Sequence, residues 1–131
     1  MRLLLDTHAF LWMLHDPARL GQSAHAALTD GSNELLLSIG SCWEMSIKNA
    51  AGKLTLPAPF VEFIHAELKT NRIGLLPISL AHLGRLGTFP KHLREHRDPF
   101  DRLLVAQALE EKIPLASGDA VLDAYGVERI W

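Results

Sequence analysis

The stretch that decides the fold is Arg2-Leu3-Leu4-Leu5-Asp6-Thr7-His8. Three leucines in succession leave no polar face, so the run reads as a strand buried on both sides that ends at an aspartate. A helix over residues 8–15 follows, and Asp16-Pro17 stops it because the residue before proline is pushed out of helical angles. The pattern then repeats. Residues 22–29 form a second helix closed by Asp30-Gly31. Residues 34–39 (ELLLSI) are the next strand, and 41–51 a helix opened by Ser41-x-x-Glu44 and closed by Gly52. After a loop at 54–59, Phe60, Phe63, Ile64 and Leu68 share one face of a helix over 60–69. A strand at 73–78, a helix at 80–86 and a basic connection at 89–97 come next. Asp98-Pro99-Phe100-Asp101 then sets an N-cap, a first-turn proline and an acidic third position before a helix running to Leu109. Strands at 113–116 and 127–130 complete the pattern. Strands alternating with helices predict an α/β fold with a central, mostly parallel sheet covered by helices.

The chain has 131 residues, 48% apolar and 21% charged. That predicts one domain over residues 1–131 with a core large enough to need neither disulfides nor a structural metal. A lone cysteine, Cys42, excludes an internal bridge and paired-cysteine zinc or redox chemistry, and fits a reducing cytoplasm. Residues 1–14 are interrupted by Asp6 and His8, unlike a secretory leader, and no apolar run approaches the ~18 residues of a membrane span. Net charge is −2, so a nucleic-acid role needs a local argument rather than a bulk one.

Asp6, Glu44, Asp101 and Asp119 each fall near the carboxyl end of a strand. In an open parallel sheet those ends border one crevice, where ligands bind. Each acid also has a purely structural reading. Glu44 fits a capping box with Ser41, Asp98 an N-cap, Asp101 a helix-dipole partner and Asp119 the cap of a last short helix. Asp6 has no capping partner as clear, and a carboxylate ending a buried strand costs energy unless compensated. Converging acids would repel one another unless a cation sat among them. An oxygen-only donor set without cysteine favours Mg²⁺ or Mn²⁺, and such ions suit phosphodiester hydrolysis by a metal-activated water.

Leu3-Leu4-Leu5-Asp6-Thr7-His8, Ser41-Cys42-Trp43-Glu44 with Ile47-Lys48 and Gly52-Lys53-Leu54, Asp98-Pro99-Phe100-Asp101-Arg102, and Ser117-Gly118-Asp119 resemble the PIN domain, VapC-type toxins in particular. The resemblance runs nearly end to end. It implies a PIN-like three-layer sandwich and a metal-dependent endoribonuclease, the toxin of a type II toxin-antitoxin pair. On these positions Asp6, Glu44, Asp101 and Asp119 match the family's catalytic, metal-binding acids. Asp98 ranks below Asp101 because it precedes proline and serves the helix terminus. Thr7 and Ser117 match pocket-lining hydroxyl residues. Implied partners are an RNA substrate, a cognate antitoxin that inserts an arginine into the acidic pocket, and a second copy of the chain in a homodimer or larger complex.

Lys91, Arg94 and Arg97, interleaved with His92 and His96, read either as a solvated connection or as a strip contacting RNA phosphates. Trp12, Trp43, Phe10, Phe60 and Phe63 occupy helical apolar positions and are assigned to core or subunit packing rather than base stacking. His96-Arg97-Asp98 mimics a kinase triplet, but no glycine-rich phosphate loop precedes it. A receiver domain would use an aspartate after its third strand and a lysine after its fifth, and no lysine follows Lys112; a haloacid dehalogenase needs Asp-x-Asp after the first strand, where this chain reads Asp6-Thr7-His8. The competing function is a catalytically inactive PIN-fold module that binds RNA or protein, with acids that only cap helices.

Overall fold

A computed structural model of the chain describes residues 1–95 and 98–131, residues 94 and 95 in their backbone alone. Five strands form one sheet in the order β3-β2-β1-β4-β5: β1 (Arg2–Leu5), β2 (Glu34–Ser38), β3 (Ile73–Leu76), β4 (Leu115–Ala116) and β5 (Arg129–Ile130). All pairs are parallel. Leu5 faces Leu37 on one side and Ala116 on the other. The helices are α1 (Thr7–His15), α2 (Gln22–Thr29), α3 (Ile39–Ala50), α4 (Phe60–Asn71), α5 (Leu80–Leu86), α6 (Lys91–Glu95) and α7 (Pro99–Glu111), with 3₁₀ turns at Pro17–Arg19 and Ala120–Tyr125.

Strand side chains alternate between two cores. Leu3, Leu5, Leu35 and Leu37 join Phe10 of α1, Met45 of α3 and Phe63 of α4, whereas Leu4, Leu36 and Leu115 join Leu104 and Val105 of α7 and Tyr125. Leu3, Leu4 and Leu5 are all fully buried, which is why their run shows no polar face. Three layers result, as the strand-helix alternation predicts. None of the described helices is long and apolar enough to cross a membrane.

Several elements differ from the sequence reading: α6 forms within the segment read as a connection at 89–97, and β3 ends at Leu76 rather than at 78. The helix expected from Ser41 begins at Ile39, because Ser38 at the end of β2 accepts a hydrogen bond from Gly40 N (2.9 Å) and caps it. Ser41 is thereby drawn into the first turn, and its Oγ is buried without a partner. The strands expected at 113–116 and 127–130 shrink to two residues each, since β4 and β5 pair only through Leu115–Arg129 and Ala116–Ile130.

Opposite the sheet's first core, His82 is buried between α5 and α7. Its Nδ1 accepts from Ser79 N (3.1 Å), so Nε2 carries the proton and donates to Glu111 (3.1 Å). That bond above all, with Arg2 adding to it, holds the Glu111 carboxyl below its ordinary value. A depressed carboxyl contributes stability that is present above the ordinary glutamate range and lost as pH falls through the folded value. Glu111→Gln is expected to flatten the acid side of a melting-temperature profile, leaving variant and wild type converging at low pH.

Candidate functional site

β1 lies where the strand order reverses: β2 and β3 extend to one side of it, β4 and β5 to the other. At such a switch point the loops leave in opposite directions and open a crevice. Asp6 enters it directly. Its N–H donates to Ala116 O (3.0 Å), extending the β1–β4 ladder, and its Oδ1 accepts from Ala9 N and caps α1. Asp6 is therefore an N-cap, a role its sequence context concealed. The residue is 9% exposed. Burial pushes its carboxyl above the ordinary value, against hydrogen bonds from Ala9 N–H and the Ser117 hydroxyl; the charge of Glu44 adds only a smaller upward push. Desolvation, more than repulsion between acids, makes this carboxylate costly.

Glu44 is freed from capping by the earlier start of α3. Thr7 Oγ1 donates to its Oε1 (2.7 Å), and Lys48 Nζ, one turn along α3, donates to its Oε2 (2.7 Å). Thr7 and Glu44 are both buried. Ser117, fully buried after β4, accepts from Asp119 N (3.2 Å) within its own loop, and its hydroxyl is among the groups that oppose the upward shift of Asp6. Asp119 is half-buried, and its Oδ1 caps the 3₁₀ turn by accepting from Val121 N (3.1 Å).

Asp6 and Asp119 line a crevice of about 540 Å³, shared with His8, Trp12, Arg19, Gly118 and Trp131. Thr7 and Glu44 lie beside Asp6; neither they nor Asp101 line that volume. Asp101 is half-buried at the third position of α7, whose N-cap is Asp98, with Oδ1 accepting from Phe100 N (2.7 Å). Asp98 thus caps α7, as its place before proline predicts. α7 packs on α3 through Leu103, whose Cδ2 would lie 2.6 Å from a Cβ at Gly40. Of the basic strip, Lys91 is exposed at the start of α6, while His96, Arg97 and the Arg94 side chain lie outside the described residues.

Among the described residues, no three His, Cys, Asp or Glu side chains are grouped closely enough to hold an ion as they stand. In kind, the donors fit a hard divalent cation: the Asp6 carboxylate, whose charge is penalised by burial, the buried Glu44 carboxylate, and the Ser41 Oγ one turn before Glu44 on α3, which has no hydrogen-bond partner among the described residues. The sequence reading missed Lys48 as the partner of Glu44, although its i,i+4 spacing was a readable signal. It also missed Arg19 and Trp131 as walls of the crevice, for which no local signal exists.

A parallel α/β sheet with acids and hydroxyls, rather than a glycine-rich phosphate loop, at its switch point defines a carboxylate-centred class of α/β protein. The chain belongs to the PIN domain family, whose model matches residues 3–128. It is 26% identical over 124 residues to Ribonuclease VapC22 of Mycobacterium tuberculosis, covering 93% of this chain and 90% of that protein. Its fold is similar to that in VapBC2 from Rickettsia felis bound to a promoter DNA fragment, with a TM-score of 0.72 at 13% identity and full coverage of both chains. DNA-bound VapBC from Salmonella typhimurium gives 0.73 at 12% identity, over 98% of this chain and 96% of that one.

Asp6→Asn retains a capping oxygen while removing the buried charge. A carboxyl raised by folding withdraws stability as pH rises through its folded value. In chelator at neutral pH the variant is therefore expected to unfold at equal or higher urea concentration than wild type, the advantage vanishing as pH falls.

Proposed function

We propose that residues 1–131 act as a single PIN domain with metal-dependent endoribonuclease activity, the toxin of a type II toxin-antitoxin pair working in the cytoplasm. The strongest support is the crevice beside the paired ends of β1 and β4, which both Asp6 and Asp119 line. The relative named Ribonuclease VapC22 and the VapBC complexes of similar fold favour the same reading.

In this proposal Asp6, Glu44, Asp101 and Asp119 hold Mg²⁺ or Mn²⁺, with Asp98 left to cap α7. When bound, the ion supplies a water of lowered pKa and charge stabilisation at the leaving oxygen. The protein's own contribution is positional. Ser117 aims the Asp6 carboxylate, Thr7 fixes one oxygen of Glu44, and Lys48 balances its charge in the metal-free state. The basic strip of Lys91, Arg94 and Arg97 is assigned to contacts with RNA phosphates. The antitoxin offers an arginine to the acids, a bidentate charge-assisted pairing that competes with the cation.

A second copy of the chain docks on α3. Ile39, Trp43 and Ile47 recur at i, i+4 and i+8 and are 40%, 58% and 48% exposed, a row of large apolar side chains that water disfavours. Trp43, assigned from sequence to core or subunit packing, is left to the second of these roles. Trp43→Asp is expected to shift the sedimentation of the isolated protein from dimer to monomer.

One observation favours the inactive-module reading: Asp6, Asp98 and Asp119 all cap helices or turns. Each cap engages Oδ1, so capping and ion binding are compatible. The decisive measurement maps RNA 5′ ends in bacteria shortly after induction of wild type or Asp6→Asn. New ends at defined positions with wild type alone are expected, and Glu44→Gln, Asp101→Asn and Asp119→Asn should each lower cleavage by about 100-fold or more in vitro. Chelation should abolish cleavage, and Mg²⁺ or Mn²⁺ restore it. Identical maps, with no cleavage in vitro, favour the binding module.

A further inference from the structure

The acids occupy one part of the crevice. Another is aromatic. Trp12 sits at its centre, with its ring 5.4 Å from His8 and 5.8 Å from Trp131, and the Arg19 guanidinium lies 4.5 Å over the indole. Trp12 and Trp131 are half-buried and both line the crevice, Trp131 also packing on the sheet's first core, while His8 and Arg19 are exposed.

This wall is built into the backbone. A Cβ at Gly21 would lie 2.5 Å from the Trp131 carbonyl carbon and 2.7 Å from its ring, and one at Gly118 would lie 2.9 Å from the same ring. Only glycine at both positions lets Trp131 close against Trp12. Gly118 adjoins Asp119, so the residue that admits the indole also leads into the acid. Arg19 forms no ion pair with any acid among the described residues. Its N–H donors remain available beside the crevice.

Sites for single-stranded nucleic acid combine aromatic faces that stack bases with cations that hold the backbone. Phosphates are repelled by bare carboxylates, whereas a neutral planar ring is indifferent to them and gains from an indole face. The crevice, at about 540 Å³, falls within the ~300–1,000 Å³ typical of small-ligand sites, enough for a single nucleobase. We propose that Trp12, Trp131 and Arg19 form a nucleobase subsite, in which an unpaired base of the RNA stacks on the indole wall and Arg19 holds its phosphate, beside the acids. This deepens the ribonuclease reading and rests on it. Trp12, assigned from sequence to packing, becomes a residue that positions substrate.

The test uses the full chain in chelator, so that RNA binds without being cut. A labelled short single-stranded RNA of mixed sequence is compared, by fluorescence anisotropy, with the same ribose-phosphate backbone lacking its bases. Roughly tenfold tighter binding of the base-bearing RNA is expected. Trp12→Leu, which keeps an apolar contact for Trp131, should erase that preference, and Trp12→Phe should restore it. Arg19→Gln should weaken both ligands and reduce the logarithmic salt slope by about 0.7. In a Trp43→Phe background, the base-bearing RNA should quench the remaining tryptophan emission.

Equal affinity for the two RNAs, or a Trp12→Leu protein that melts normally and still prefers bases, overturns the subsite. So does the absence of any RNA binding. Metal-dependent cleavage with unchanged kinetics in Trp12→Leu removes the subsite and leaves the nuclease reading intact. Base-dependent binding that requires Trp12, in a wild-type protein that cuts nothing, removes the nuclease reading and keeps the subsite.

Discussion

A strand covered on both faces can satisfy its backbone only through neighbours, and β1 is that strand here. Leu3, Leu4 and Leu5 are excluded from water, so their N–H and C=O groups must pair with β2 on one side and with β4 and its approach on the other. This requirement places β4 beside β1 although most of the chain separates them. The hydrogen bond from Asp6 N to Ala116 O is the last rung of that pairing. It carries a charged side chain out of an apolar core at the position where the sheet's order reverses. The crevice and its acids all follow from the need to bury three leucines twice.

What the pairing brings together is held by groups with few alternatives. The Ser117 hydroxyl serves Asp6 and accepts from Asp119 N, while Glu44 is held between Thr7 and Lys48. The electrostatic tension is moderate because Asp6 and Glu44 are tied to separate partners. Its larger part comes from removing Asp6 from water. A carboxylate kept in such a place is a standing stability cost, the pattern expected where local consistency yields to function.

The sheet and its long helices were legible because they rest on local rules: uniform leucine runs, Asp-Pro at a helix end, and the Asp98 cap with Pro99 behind it. Gly52 likewise takes the positive φ, 74°, that its position predicted. Misreadings arose where two local rules competed. Ser38 and Ser41 are both able to open α3, and the choice falls to Ser38 because β2 ends there. α4 runs past its expected end to Asn71, since the left-handed residue that closes it is Arg72, which nothing in its side chain announces. Asp6 as a cap was hidden by its other neighbour, the strand. The acids were readable as a set through the PIN resemblance, yet their surroundings were not: Trp12, Arg19 and Trp131 meet only in three dimensions.

The pairing of Leu5 with Ala116 also bears on the order in which the molecule comes into being. A ribosome releases Asp6 early, with β1, α1 and β2 able to associate as they emerge, because chains form structure from the amino end during synthesis. The other wall of the crevice includes Gly118, Asp119 and Trp131, which follow only after α7 and β4. Contacts so distant along the chain are slow to close. A chain synthesised only as far as β3 therefore holds one wall of the crevice, Asp6 with Trp12, without the other.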